Sequence, residues 1–398
     1  MADRPGFIPV ARPWIDEREA QAARRALLSG WVTQGPEVAA FEAEFAAIMG
    51  APHACAVSSG TTALHLALLA VGVRPGDEVV TVSHSFIATA NSILYCGALP
   101  VFVDIEPATF NLNPALLESA IGPRTRAILC VHQVGMPADL GAIVPIARRH
   151  SIALVEDAAC AIGSEILWDG KWEKIGKPHG DIAGFSFHPR KVVTTGDGGM
   201  VTAANPELDR KVRLLRQHAM SASAAERHGS AQVTFEEYPE IGYNYRMTDI
   251  QAAVGREQLK RLPEMIARRR ELAARYGRLL ADIPSLTLPK EPSFARSNWQ
   301  SYLVRLPDSC GQRETMQFLL DRGIATRRGV MCCHREPAYR RGENFRAAGS
   351  LAESETAQDR AIVLPLFHRM TFEEQDRVAK VLAEALSAGS AAKASGRS

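Results

Sequence analysis

The sequence predicts an α/β protein in which a large, mostly parallel sheet is followed by a smaller α+β domain. Between residues 51 and 204, short runs rich in Val, Ile and Phe alternate with helical stretches. Runs that are apolar at successive positions are typical of strands buried on both faces of a parallel sheet. Their alternation with helices predicts right-handed crossovers. The runs are HACAVSS, EVVTVSH, LPVFVDI, TRAILCV, IALVEDA, IAGFSFH and GGMVTAA, starting at residues 53, 78, 99, 125, 152, 182 and 198.

The second half of the chain has a different pattern. Residues 248–282 predict a long helix that bends or breaks near Pro263. Residues 284–386 mix strand-like SYLVRLP with helix-like FEEQDRVAKVLAEAL. We therefore predict a large domain over residues 1–250, including an N-terminal arm, and a smaller domain over residues 251–386. The small, polar residues 387–398 predict a disordered tail.

Composition excludes several classes of protein. The chain has 398 residues, of which 46% are hydrophobic and 23% charged, as expected for a globular protein of two or three domains. A formal net charge of +2 argues against a broad nucleic-acid-binding surface. No apolar run approaches the roughly 20 residues of a membrane span. The N-terminus lacks the apolar stretch of a signal peptide.

The cysteines predict a cytoplasmic protein with reduced thiols. Seven cysteines are scattered along the chain without a CxxC pair or a disulfide-like spacing. Cys332 and Cys333 precede His334, but neighbouring side chains rarely chelate one ion, so we predict no metal site.

A lysine and an aspartate each end one of the predicted strands. Lys191 lies in the turn after IAGFSFH, where an amine can form an imine with an aldehyde cofactor and move protons. Asp157 ends IALVED, and its carboxylate could pair with a buried cationic ring nitrogen, which pyridoxal phosphate (PLP) requires as an electron sink. The alternatives are a solvated surface lysine and a helix cap. Because ligands of parallel sheets bind beyond the strand ends, both side chains could reach one cleft.

A strand-to-helix turn offers a phosphate site. Gly60 permits a tight turn in SSGTT, and the amides of Thr61 and Thr62 would lie at a helix N-terminus, which favours anions. Ordinary N-capping is the alternative. Ser186 is a second hydroxyl near the same cleft, or else only a strand residue. Phe86 could stack on a planar ring or belong to the core.

Other binding motifs are weak or absent. No GxGxxG follows a strand, and no GxxxxGK[ST] occurs. Residues 247–262 faintly resemble a DNA-binding helix-turn-helix, with Ala252, Ala253 and Gly255 at a turn-like spacing. We favour a packed helix that tolerates one glycine.

Taken together, the motifs resemble the sugar aminotransferases of the DegT/DnrJ/EryC1/StrS family from about residue 8 to residue 386. The resemblance implies a fold-type-I PLP enzyme of aspartate-aminotransferase architecture, working as a homodimer with active sites at the subunit interface. It is carried by SGWVTQGPEVAAFE, VSSGTTALHLAL, SFIATANSI, PVFVDIEPATFNL, VEDAACAIGS, GDIAGFSFHPRKVVTTGDGGM, GYNYRMTDIQAAVG, HREPAY and LPLFHRMTFEEQ.

The resemblance also implies roles for individual residues. Lys191 matches the lysine that holds PLP, Asp157 the partner of its ring nitrogen, and Phe86 the stacking aromatic ring. One departure concerns Cys160, which stands where the family usually has a Gln, His or Glu in contact with the cofactor ring, and a thiol is a weak hydrogen-bond partner. The remaining matches are Gly60, Thr61, Thr62 and Ser186 in the phosphate cup, Asn244 reaching the partner's phosphate, and His188, Arg246 and His334 near the sugar.

The implied reaction transfers an amino group from glutamate or glutamine to a keto-sugar. A nucleotide-linked 4-keto-6-deoxyhexose is the favoured acceptor, and a 3-keto sugar or keto-cyclitol is the alternative. A PLP-dependent sugar dehydratase is disfavoured, because that branch has a histidine in place of the lysine, whereas this chain has Lys191. A regulatory DNA-binding protein is the remaining alternative.

Overall fold

A computed structural model describes residues 6–221, 235–341 and 344–395, and it contains the predicted α/β sheet. The strand order of the main sheet is β1-β9-β8-β5-β4-β2-β3-β13. Every predicted β-like run forms a strand of this sheet, so the fold-class prediction is confirmed. The strands are β1 His53–Val57, β2 Glu78–Val82, β3 Leu99–Val103, β4 Thr125–Val131, β5 Ala153–Asp157, β6 Glu165–Trp168, β7 Lys171–Lys174, β8 Ile182–Ser186, β9 Gly199–Ala203, β10 Ala295–Arg296, β11 Tyr302–Arg305, β12 Arg327–Arg328, β13 Arg346–Ala347 and β14 Ala361–Leu364.

The sheet is parallel except at one end. Strands β3, β2, β4, β5 and β8 pair in parallel, as does the short β13 with β3, whereas β9 runs antiparallel to both β8 and β1. The central strands therefore present their carboxyl ends at one edge, which is where ligands of such sheets bind. Two three-stranded sheets, β10-β6-β7 and β11-β14-β12, complete the β-structure of the described residues.

Helices cover the main sheet and build the smaller C-terminal region. Short 3₁₀ turns span Pro114–Leu116, Gln133–Gly135 and Cys333–Arg335. Within the described residues, no helix is both long and apolar enough to cross a membrane. The helices are α1 Glu17–Ser29, α2 Pro36–Met49, α3 Gly60–Ala70, α4 Ile87–Tyr95, α5 Leu117–Ala120, α6 Leu140–Arg149, α7 Pro206–Leu215, α8 Asp249–Leu279, α9 Gln312–Asp321, α10 Pro337–Arg340, α11 Ala352–Arg360 and α12 Phe372–Ser395.

Helix α8 runs unbroken through Pro263, so the predicted break does not occur. The proline is exposed, while Leu262 and Met265 on either side of it are buried in the main core. Packing on this face keeps the backbone helical although proline removes one hydrogen bond. The same continuity rules out a helix-turn-helix over residues 247–262. Gly255 is explained by packing, since a Cβ there would lie 2.7 Å from the Phe41 ring.

The two hydrophobic cores meet within α8. Leu259 and Met265 pack in the core beneath the main sheet, whereas Leu272 and Tyr276 pack in a second core with α12, β11 and β14. Ile8 of the N-terminal arm belongs to this second core. Along α8, the change from the first core to the second falls between residues 266 and 272, and the domain boundary at residue 250 stays a prediction.

Helix α12 covers most of the predicted disordered tail. It continues past Leu386 as far as Ser395, and residues 396–398 lie outside the described residues. The segment from residue 387 is rich in alanine, the strongest helix former, so a helix already packed through Leu382 and Leu386 can extend into it.

A buried ion pair fastens α2 to α7. Glu42 accepts hydrogen bonds from Arg216, from Arg213 Nη1 at 2.6 Å and from the backbone amide of Ala56 at 2.9 Å. Burial alone would raise the pKa of Glu42, but the charges of Arg216 and Arg213 outweigh it and hold that pKa below its usual value. The carboxylate therefore stabilises the fold only while it is ionised.

We expect Glu42→Gln to lower the free energy of unfolding by about 3–5 kcal/mol, because it leaves a buried guanidinium without its charge partner. Urea unfolding at neutral pH measures this loss. Since the folded-state pKa of Glu42 is depressed, its contribution is present at neutral pH and disappears as the pH falls through that value. Glu118→Gln, which removes an exposed partner of Arg149, is the control and should change stability little. Equal effects of the two substitutions would contradict the prediction.

Candidate active site

A cavity of about 430 Å³ lies at the edge of the main sheet where the parallel strands end. Its walls come from the ends of β4, β5 and β8, the N-terminus of α3 and the loop that precedes α4. Val10 of the N-terminal arm and Leu366 after β14 close another side. Residues far apart in the sequence thus converge on one space.

Asp157 is the last residue of β5 and lies at the base of this cavity. Its side chain is almost fully buried, with Oδ2 accepting from the Thr89 hydroxyl at 2.8 Å and Oδ1 from the Ala159 amide at 3.1 Å. Burial raises the pKa of Asp157, while the Thr89 hydrogen bond and the charge of Lys191 oppose that rise. No helix directly follows β5, so the helix-cap alternative does not describe this carboxylate.

Lys191 lies in the turn after β8 and lines the same cavity. It is partly buried, and its Nζ lies 3.0 Å from the Cys160 Sγ. The surface-lysine alternative therefore does not apply. The other six cysteines are buried, so Cys160 is the one thiol among all seven that is partly exposed.

The N-terminus of α3 forms a polar wall of the cavity. The amides of Gly60 and Thr61 donate to no acceptor within the described residues, whereas Ser59 caps the Thr62 amide at 3.2 Å. Thr62 donates its hydroxyl to the Ser59 carbonyl at 2.8 Å and does not line the cavity. A Cβ at position 60 would lie 2.6 Å from the Cβ of Ser186, so glycine is what lets α3 approach the end of β8.

The loop between β2 and α4 presents Phe86 to the cavity. Phe86 is 54% exposed, so it is not a core residue. The C-terminal region holds this loop: Ser83 bonds to His334 Nδ1 at 2.7 Å, and the Cys333 amide donates to the Ser83 carbonyl at 2.8 Å. The other ring nitrogen of His334 bonds to Glu355 at 2.9 Å. His334 thus lies behind the loop and not in the cavity.

Two further residues predicted for the site lie outside the cavity. Asn244 is exposed, and Arg246 lines a separate groove that also includes Thr33 and Gln34. His188, in contrast, lines the cavity with Lys191. Within one chain, the structure therefore brings together most of the predicted residues but not Thr62, Asn244, Arg246 or His334.

Several residues of the cavity were not predicted from the sequence. Thr89 contacts Asp157, and His132 lines the wall while its Nε2 bonds to Glu156 at 3.1 Å. Arg190 and Arg327 stand at the rim. The sequence shows only that Thr89 follows Ser85 by one helical turn in SFIATAN, which predicts that the two hydroxyls are neighbours but not that Thr89 contacts Asp157.

The donor groups of this cavity fit PLP. The cofactor needs an amine, a buried carboxylate for its ring nitrogen, a ring-stacking side chain and donors for its phosphate. Lys191, Asp157 and Phe86 offer the first three. The unbonded amides at the start of α3 point to an anion, as helix N-termini do.

Comparisons with known proteins agree with this fit. The model of the DegT/DnrJ/EryC1/StrS aminotransferase family matches residues 13–383. The chain is 39% identical over 376 residues to the spore coat polysaccharide biosynthesis protein SpsC of Bacillus subtilis (strain 168), covering 94% of this chain and 95% of that protein.

Solved structures show the same fold. The aminotransferase TlmJ from Streptoalloteichus hindustanus superposes with a TM-score of 0.87 at 35% identity, covering 96% of this chain and all of TlmJ. DesI, solved in the presence of its TDP-sugar product, gives a TM-score of 0.86 at 30% identity, with 98% and 96% of the two chains covered. The fold-type-I assignment therefore holds over nearly the whole chain.

We expect Cys160 to account for the fast-reacting thiol of the native protein, because burial slows the other six. Ellman's reagent should give about one rapid equivalent per chain, and adding PLP should slow it by filling the cavity. Cys160→Ser should remove the rapid phase. Cys96→Ser is the control, since burial raises the pKa of that thiol to about 12. A rapid phase that survives Cys160→Ser would contradict the cavity geometry.

Proposed function

The chain belongs to the DegT/DnrJ/EryC1/StrS aminotransferase family of PLP-dependent enzymes, and we propose on that premise that it aminates a nucleotide-linked keto-sugar. We propose glutamate or glutamine as the donor and a 4-keto-6-deoxyhexose as the acceptor. The observation that carries the proposal is that the Lys191 amine and the Asp157 carboxylate line one cavity at the strand ends. A 3-keto sugar or keto-cyclitol is the alternative acceptor.

In this proposal each cavity residue has a defined task. Lys191 would hold PLP, Asp157 would pair with the ring nitrogen, Phe86 would cover a ring face, and Gly60 and Thr61 would bind the phosphate together with Ser186. When bound, PLP supplies a carbonyl that takes up the amino group and a protonated pyridine that withdraws electrons. Asp157 keeps the proton on that nitrogen through its negative charge. Lys191 would move the proton between the α-carbon of the donor and the C4′ carbon of the cofactor.

Cys160 is proposed to adjust this chemistry without being essential. Its sulfur already contacts the Lys191 Nζ at 3.0 Å. A thiol there packs against the cofactor and hydrogen-bonds only weakly, so it would leave the ring less firmly held than a Gln or His would.

The rim of the cavity supports a nucleotide-linked substrate. Arg190 and Arg327 have no acidic partner within the described residues, whereas Arg328 pairs with Glu336 at 3.2 Å. Unpaired guanidinium groups match the charge and geometry of a diphosphate. DesI was solved with a TDP-sugar product, which is consistent with the same class of ligand here.

A homodimer with shared sites is proposed for two reasons. Asn244 and Arg246 lie outside the cavity of their own chain, where a partner's cavity could use them. The segment just before them exposes apolar side chains, with Phe235 86% and Ile241 88% accessible, and such residues are common at protein interfaces.

A cytoplasmic location is proposed because no disulfide joins any of the seven cysteines, all of which lie in the described part of the chain.

We expect the purified enzyme to bind PLP, to lose the cofactor's visible absorption band when glutamate is added, and to regain it with a nucleotide keto-sugar. Lys191→Ala should abolish amino transfer, because among the described residues no other lysine lines the cavity. Lys260→Ala, at an exposed lysine, is the matched control and should leave transfer unchanged. Wild-type protein that binds PLP but transfers no nitrogen to any keto-sugar would contradict the proposed function.

We also expect subunits that are separately inactive to complement each other. In a mixed dimer of Lys191→Ala and Asn244→Ala chains, one of the two sites would contain both an intact Lys191 and an intact Asn244, so part of the activity should return. Activity is measured on isolated heterodimers. No recovery, or a fully active monomer in sedimentation, would exclude shared sites.

A further inference from the structure

Two buried hydroxyl groups form a row that ends on Asp157. The Ser85 Oγ lies 2.7 Å from the Thr89 Oγ1, which lies 2.8 Å from Oδ2 of Asp157. Ser85 and Thr89 are each 1% exposed and Asp157 is 5% exposed, so bulk water scarcely reaches the row. The carboxylate therefore depends on protein donors for its solvation.

The direction of the hydrogen bonds follows from the charge of the carboxylate. An ionised carboxylate only accepts, so Thr89 must donate its one hydrogen to Asp157. Ser85 must then donate to Thr89. If Asp157 were protonated, the two hydroxyl groups could accept its hydrogen only if both of their hydrogen bonds reversed direction. Donors aligned towards the carboxylate thus favour its ionised form, and each hydroxyl polarises the next.

Tertiary contacts keep the two hydroxyls in place. Ser85 and Thr89 are four residues apart across the start of α4, so they share one face of that turn. The Ser85 carbonyl accepts from the Cys333 thiol at 3.7 Å, and the Cys333 amide holds the neighbouring Ser83 carbonyl. The C-terminal region therefore contacts the backbone of the segment that carries Ser85.

Other charged groups near Asp157 do not replace this row. Burial raises the pKa of Asp157, and Lys191 and His132 oppose that rise from the neighbouring strand ends. The Lys191 Nζ lies 3.0 Å from the Cys160 Sγ, and the His132 ring is hydrogen-bonded to Glu156. Neither Glu156 nor Cys130 supplies a positive charge that could stabilise the Asp157 carboxylate. Among the described residues, the Thr89 hydroxyl is the donor that contacts Oδ2 directly.

We propose that Ser85 and Thr89 are positioning residues that hold the Asp157 carboxylate ionised and oriented towards the cofactor ring. The inference rests on the proposed function and deepens it by extending the cofactor site to a row of uncharged side chains. Neither hydroxyl touches the reacting atoms. Their effect reaches the reaction through the charge of Asp157.

The test compares Thr89→Val, which removes the hydroxyl at nearly constant shape, with Thr89→Ser, which keeps it. Thr81→Val is the matched control, because the Thr81 hydroxyl is equally buried but donates to the Leu129 carbonyl at 2.8 Å. The readout is the PLP dissociation constant, measured from visible absorption without substrate between about pH 5 and 8.

We expect Thr89→Val to weaken PLP binding about tenfold at neutral pH, by the loss of one hydrogen bond to a charged group. The pH at which binding fails on acidification should move upwards, because the lost donor had lowered the pKa of Asp157. Thr89→Ser should restore both properties. Ser85→Ala should produce a smaller shift in the same direction.

A Thr89→Val profile that coincides with the wild-type profile would overturn the inference. So would equal losses in Thr81→Val, or a Thr89→Ser variant as impaired as Thr89→Val. Failure of the proposed function is a separate result: wild-type protein that binds PLP but aminates no sugar refutes that function, while the binding profiles still decide the role of the hydroxyls.

Discussion

The cavity is organised around one carboxyl group, that of Asp157, which is almost fully buried at the end of β5. A carboxylate at the end of β5 is unfavourable there unless donors surround it, and the chain supplies a backbone amide and the Thr89 hydroxyl. This requirement constrains where the neighbouring strand and helix can be placed. Strand β8 must bring Lys191 to the same cavity, and α4 must begin where its first turn can reach Asp157. The glycine at position 60 extends this constraint, because it lets α3 approach β8 closely enough for the helix N-terminus to share the cavity.

Much of this arrangement could be predicted from the sequence because its signals are local. Continuous apolar runs identify the buried strands, and the rule that ligands lie beyond strand ends places Asp157 and Lys191 together. Thr89 was missed because its partner is 68 residues away, and nothing in SFIATAN tells which strand α4 will cross. The sequence predicted that Thr62 would bind phosphate. In the structure its hydroxyl donates to the Ser59 carbonyl at the start of α3, and the sequence does not reveal which of the two partners the hydroxyl takes.

The predicted positions that lie outside the cavity form a consistent group. Arg246 lines a separate groove and Asn244 is exposed, while His334 binds the loop that carries Phe86. Within a single chain, these three residues therefore lie away from the cavity that Lys191 and Asp157 line. The resemblance selects these residues by their motifs, but whether they contact a cavity of another subunit depends on assembly, which the local sequence does not encode.

The long helix α8 has a consequence for how the molecule unfolds. Its first half packs under the main sheet and its second half packs in the other core, without a loop between them. The two regions therefore lack the flexible hinge at which domains usually separate. Unfolding of either core alone would leave half of α8 without its packing partners and would expose the apolar face of that half to water. The two cores should therefore unfold together in a single cooperative transition. Any rigid-body movement of the smaller C-terminal region relative to the main sheet must rotate or bend the whole of α8.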